Sequence, residues 1–116
     1  MVAVRDYARE LIEATRLDDK LVPPPADLEL DDAGAPLLLA APARPATLAI
    51  QPGRKVSVPP VAGMRDPAQR ARILHALANH ELQAVELFAW ALLAFPAAPR
   101  GFRAGLIAIL ADEQRH

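Results

Sequence analysis

The sequence predicts an all-α chain in which an N-terminal amphipathic helix (residues 1–20) and a proline-rich extended strap (21–65) lead into a helical hairpin (66–116). Three observations carry this prediction. Residues 68–95 contain neither Gly nor Pro and consist mainly of Ala, Leu, Glu, Gln and Arg, which form or tolerate helix. Pro96-Ala97-Ala98-Pro99 interrupts that run and opens a second one that continues to His116. Nine of the twelve prolines fall between Leu21 and Gly63, where each removes a backbone donor and turns its predecessor away from helix.

In the first element Val4, Tyr7, Ala8, Leu11 and Ile12 recur at helical spacing with Arg5, Arg9, Glu10 and Glu13 between them, so an amphipathic helix is expected from about Val2 to Thr15. The proline-rich segment is not polar enough for a disordered linker. Leu28, Leu30, Leu37, Leu38, Leu39, Leu48, Ile50, Val56 and Val58 offer apolar contacts along it, which predicts an ordered strap on a helical body. Its acidic cluster, Asp27, Glu29, Asp31 and Asp32, is expected to be solvated, and Arg54-Lys55 is too short for a phosphate-binding patch. Asp66-Pro67 then marks a helix start, an N-cap acceptor followed by a proline at the first helical position. The resulting helix of roughly 28 residues is about 42 Å long. Pro99 fits the first turn of a second helix, and the two make an αα-hairpin.

At 116 residues the chain is one small domain or part of a larger one. Thirteen Lys plus Arg against fourteen Asp plus Glu provide no basic field, so nucleic acid is not an expected partner. The absence of cysteine excludes disulfides and thiolate metal sites, leaving His and carboxylate as ligands for any metal. No apolar run reaches the length of a membrane span, and Met1-Val2-Ala3-Val4-Arg5-Asp6 lacks the pattern of a secretory signal. A cytoplasmic protein without a membrane partner is expected.

Around the long helix, Leu74, Leu77, Val85, Phe88, Leu92 and Phe95 fall within about 40° of Glu81. In the second helix Phe102, Leu106 and Ile109 cluster similarly about Glu113, with Leu110 and His116 about 60° to either side. Two carboxylates centred on apolar faces need compensation, because burying an unpaired one costs several kcal/mol or more, on the order of its lost hydration. A shared cation would provide it; so would ion pairs to Arg70, Arg72 or Arg103, or escape to solvent at the core's edge. Both residues lie roughly 21 Å from the connection at helical rise, so an antiparallel hairpin sets them at the same height. Glu113 and His116 also form an E-x-x-H pair, whose spacing can bring both side chains to one metal. His75 and His80 point elsewhere, about 120° and 100° from Glu81, and are expected on the surface or outside the ligand set. Glu86 is expected on a polar or interhelical face beside Asn79, Gln83 and Trp90, and Phe88, Trp90, Phe95 and Phe102 are expected in the core.

The segments ANHELQAVEL and ILADEQRH resemble the first half of a ferritin-like di-iron carboxylate bundle, in which one helix gives a Glu and the next gives E-x-x-H. More closely, the early helix, LDDKLVPPP, the strap, HALANHELQAVELFAWALLAFP and ADEQRH resemble an uncharacterised bacterial ferritin-like family known as a domain of unknown function. The resemblance implies that Glu81 is a terminal iron ligand, Glu113 a metal-bridging carboxylate and His116 the imidazole ligand. It also implies that Asp112 orients a ligand His of the opposite half, with Arg115 fitting the same pattern. The fold implied is a ferritin-like hairpin, half of a four-helix bundle. The function implied is that of a non-haem di-iron protein, an O₂-dependent oxidoreductase of unknown substrate, with iron or alternatively manganese as the metal. A full bundle adds a second Glu and a second E-x-x-H from two later helices, and neither is present. The chain therefore reads as a truncated bundle, its half-site completed by a missing C-terminal half or by a second copy in a homodimer. The alternative is a non-catalytic helical structural or interaction module, or an inactive fragment, with its carboxylates paired rather than metallated.

Overall fold

Val4, Tyr7, Ala8, Leu11 and Ile12, the five residues that share one face of the first helix, are all buried on α1 (Val4–Glu13). The computed structural model describes residues 1–51 and 57–116, and its regular structure there is all-α. A single-turn helix, α2 (Leu17–Lys20), follows α1; two one-turn 3-10 helices occupy Ala46–Leu48 and Val61–Arg65; α3 (Pro67–Ala94) and α4 (Arg100–Arg115) complete the chain. No strand occurs among the described residues, only an isolated parallel bridge between Ala3 and Glu29.

Both ends of α1 are satisfied by chain that comes later. Its first turn has no side-chain cap; instead the Val4 amide donates to the Glu29 carbonyl at 2.8 Å, and the Glu29 amide returns a bond to Val2 at 2.8 Å. At the other end the Lys20 ammonium, fully buried, donates to the Leu11 and Ile12 carbonyls at 3.0 and 3.1 Å. A cation at the negative end of a helix is favourably placed. Asp66 caps α3 as its sequence dictates, accepting from the Gln69 amide at 3.1 Å with Pro67 in the first turn.

The core joins α1 to the second half of α3 and the middle of α4 through Val4, Leu11, Ile12, Val85, Leu92, Leu93 and Leu110. The connecting segment packs against it through Leu28, Leu30, Leu37 and Leu39. Polar bonds fix its course: the Leu37 amide donates to the Leu93 carbonyl at 2.9 Å, and the Trp90 indole donates to the Leu39 carbonyl at 3.1 Å. Leu38, Ile50 and Val58, expected to make apolar contacts, are at least half exposed. Arg54, Lys55 and Val56 lie outside the described residues.

Two further expectations are corrected and a third is narrowed. The acidic cluster is not uniformly solvated: Asp27 and Asp31 are exposed, but the Asp32 carboxylate is buried against Arg5 Nε at 2.9 Å, with Arg103 at 4.0 Å. Of the two settings expected for Glu86, the interhelical one is found, buried beside Asn79. Lys20 Nζ stands 3.1 Å from its Oε2, Arg44 brackets both its oxygens, and Arg44 also reaches the Asn79 side-chain carbonyl at 3.1 Å. Finally, the buried faces of α3 and α4 are centred about 80° away from Glu81 and Glu113. On α3 the face comprises Leu82, Val85, Glu86, Ala89, Leu92 and Leu93, with Ile73 and Ala94 buried outside it, and on α4 it comprises Arg103 and Leu110. Leu74, Leu77, Phe95, Phe102 and Ile109 are consequently about half exposed, because α1 packs on the neighbouring face and no described element covers theirs. Of the aromatic residues expected in the core, Phe88 and Trp90 pack at its edge. Phe95 stands outside it, edge-on to Trp90 with ring centroids 6.1 Å apart.

Candidate metal centre

Two long helices crossing back on one another through Phe95–Pro99 set residues of equal distance from the connection side by side. Glu81 on α3 and Glu113 on α4 are such a pair, and His116 follows Glu113 by three residues. One ligand atom from each of the three lies within 4.8 Å of the others. His116 Nδ1 stands 3.6 Å from Glu81 Oε2 and 3.8 Å from Glu113 Oε2. The carboxylates are partly buried, whereas His116 is mostly exposed. Oxygen and nitrogen atoms bound to one ion at about 2.0–2.2 Å can be separated by up to roughly twice that distance, so small rotations of these side chains bring all three onto one cation. Two carboxylates and an imidazole are a donor set suited to Fe, Mn or Zn, and their two negative charges offset a divalent ion.

The arginines offered by the sequence as alternative partners for these carboxylates are engaged elsewhere. Arg70 donates to the Met64 carbonyl at 3.3 Å and Arg72 to the Ser57 carbonyl at 3.0 Å. Arg103 donates to the Leu30 and Leu92 carbonyls. Among the described residues the ionic partner of both Glu81 and Glu113 is His116. Asp112 pairs with Arg115 on the exposed side of α4 and does not join the three donors. Neither His75 nor His80 joins them, although His75 lines a cavity beside them.

Sequence reasoning missed Gln114. Its Nε2 lies within bonding distance of Tyr7 Oη (3.0 Å) and the Lys20 and Val22 carbonyls (3.1 and 2.9 Å), tying the end of α4 to the N-terminal layer. Burial pushes the Tyr7 phenol above its ordinary range, more than the Gln114 bond pulls it down. It therefore stays protonated and donates to Val22 O at 2.6 Å. The tie holds the turn of α4 that carries Glu113 and His116. An isolated amide between two candidate ligands gives no sequence signal of such a role, since its partners, the Tyr7 hydroxyl and two backbone carbonyls, lie more than ninety residues away.

No helix among the described residues is long and apolar enough to cross a membrane. No curated protein and no solved structure matches the chain. A family described as "Protein of unknown function (DUF455)" matches residues 3–116, nearly the whole sequence, and the chain belongs to that family.

Proposed function

We propose that the chain carries half of a ferritin-like di-iron carboxylate centre serving an O₂-dependent oxidoreductase, with Glu81 as terminal ligand, Glu113 as bridging carboxylate and His116 as the imidazole ligand. The observation that carries this reading is the convergence of those three donors from two helices, without an arginine to neutralise the carboxylates. Iron held there would supply O₂ reduction, and manganese suits the same donors. In this reading the residues divide the roles. Glu81 and Glu113 present the negative charge, the length of the connection sets their common height, and Gln114 holds the last turn of α4 in place. His116 must offer a deprotonated ring nitrogen to bind.

Three donors leave coordination positions to be filled from another surface. The exposed Leu77, Phe102 and Ile109 mark the uncovered face of the same two helices. We assign that face to a second copy, whose own three donors complete a two-metal site about a two-fold axis. Anaerobic loading with Fe(II), desalting and metal analysis test the reading. The expected ratio is near one Fe per chain, and Glu81→Ala reduces it to background while the far-ultraviolet circular dichroism stays helical. A ratio near zero for the wild type overturns it.

A second reading draws on the distances from His116 to both carboxylates: an imidazolium there would offset one of their two negative charges in place of a metal, and the chain is a non-catalytic helical module. That reading predicts negligible metal uptake before and after substitution.

A further inference from the structure

Beside the three donors lies a cavity of about 310 Å³, closed on one flank by α3 and α4 and on the other by chain from outside that pair. Leu17 and Leu21 enter it from α2 and the residue that follows, Leu48 from the 3-10 helix Ala46–Leu48 of the connecting segment, and Leu82 and Val85 from α3. Most of its lining surface is therefore apolar, and its polar lining consists of the donor set with His75, Asn79, Gln114 and Arg115 beside it. Leu82 and Val85 belong to the buried core, whereas Leu17 and Leu21 are only partly covered and form the mouth. The volume sits at the lower end of the range of about 300–1,000 Å³ typical of small-molecule sites.

We propose that this cavity binds a small uncharged apolar molecule, of the size of a single aromatic ring or a branched aliphatic, with one end held against Glu81, Glu113 and His116. Along the aliphatic walls water is a poor occupant, because they return few of its hydrogen bonds, and wholly apolar cavities of smaller size stay dry and take up aromatic molecules. An anionic ligand is disfavoured by charge. The two carboxylates already carry the negative charge that one divalent ion offsets, and Arg115, the one arginine in the lining, is paired with Asp112. A cationic ligand would compete with the metal for the same two carboxylates. What remains is a neutral molecule whose shape, rather than its charge, is read. The proposal deepens the metal-centre reading by naming its substrate class, while the cavity itself is formed without metal.

Toluene is the probe. Titrated into the metal-free wild-type chain, it is expected to shift the methyl resonances of Leu21, Leu48, Leu82 and Val85, with saturation transfer to the same groups. Leu48→Trp fills the cavity from the connecting segment and is expected to weaken toluene binding at least tenfold, with unchanged circular dichroism and unchanged Fe(II) uptake. If that variant fails to fold, Leu21→Trp at the mouth makes the same test. Absence of toluene binding, shifts confined to other residues, or benzoate binding as tightly as toluene overturns the proposal. Fe(II) uptake is measured separately in the same samples. Toluene binding without iron uptake rejects the metal reading and keeps the cavity, and iron uptake without toluene binding does the reverse.

Discussion

Glu86 shows how much a single buried charge can organise. It receives Lys20 from the turn after α1 and Arg44 from the connecting segment, so three parts of the chain meet at one carboxylate. Lys20 is further satisfied by two α1 carbonyls and Arg44 by Asn79 and the Leu48 carbonyl at 3.2 Å, leaving few unmet bonds in the cluster. Such clusters add little net stability over an apolar replacement, but removing one member leaves buried charge without compensation, at a cost of about 3–5 kcal/mol. Glu86→Gln is expected to lower unfolding stability by that order, as read from the midpoint of urea denaturation; a change below about 1 kcal/mol would reject the clasp. Asp32 makes a second residue-scale prediction. Burial works to raise its carboxyl pKa, but the Arg5 hydrogen bond, the Gly34 amide and the charges of Arg5 and Arg103 outweigh it and hold the group below its ordinary value. A group depressed in the folded state contributes stability above its unfolded pKa of about 4 and loses it as pH falls through the folded pKa. The stability gap between wild type and Asp32→Asn is therefore expected to be constant from pH 7 to 5 and to close below about pH 4. A gap independent of pH would reject the linkage. Neither cluster was legible in the sequence. Lys20 and Asp32 look like ordinary surface charges there, since their partners are backbone carbonyls and arginines brought close only by the fold.

At the scale of elements, legibility followed the number of faces that each helix buries. α1 buries one stripe against one neighbour, so its periodicity alone identified all five buried residues. The start of α3 was equally legible because capping is local chemistry: Asp66 and Gln69 are three residues apart and need no tertiary contact. Asp66→Ala is expected to cost about 1 kcal/mol and to raise amide exchange selectively in the first turn of α3. Exchange rising evenly along the helix would show that the cap acts globally instead. The rotational setting of α3 was not legible, because apolar residues surround it: Leu74, Leu77 and Leu87 are exposed while Leu82, Leu92 and Leu93 are buried. The average of all apolar positions points to Glu81, but only α1 and α4 decide which of them are covered. The proximity of Glu81 and Glu113 does not depend on that setting alone, since their common height follows from helical rise and the length of the connection. The connecting segment was legible in its composition and partly in its contacts, at Leu28, Leu30, Leu37 and Leu39.

For the whole molecule, length and coverage disagree. A compact chain of this size has a radius of gyration of about 13 Å, whereas this one has 16.0 Å and extends 50 × 24 × 22 Å. The excess comes from α3, about 42 Å long at helical rise, against an α1 of ten residues that spans about 15 Å. On the part of α3 beyond α1, Ile73 is buried but Leu74 and Leu77 stay about half exposed, and the same uncovered strip continues over Phe102 and Ile109 of α4. Contiguous apolar strips of this kind mark association surfaces more often than bare solvent faces. Stability and association should therefore separate by position. Leu93→Ala, deep in the core, is expected to cost about 2–5 kcal/mol, while Leu77→Asn and Ile109→Asn each change monomer stability by less than about 0.5 kcal/mol. The same two exposed substitutions combined are expected to lower the mass seen by light scattering at high protein concentration to that of one chain. If the wild type is already a single chain under those conditions, the second copy is not what covers this face. If the double variant still associates as the wild type does, the contact lies elsewhere. Because Glu81 and Glu113 border the same strip, the variant that abolishes pairing is also expected to weaken Fe(II) retention without altering any ligand, which ties the assembly to the site by measurement rather than by proximity.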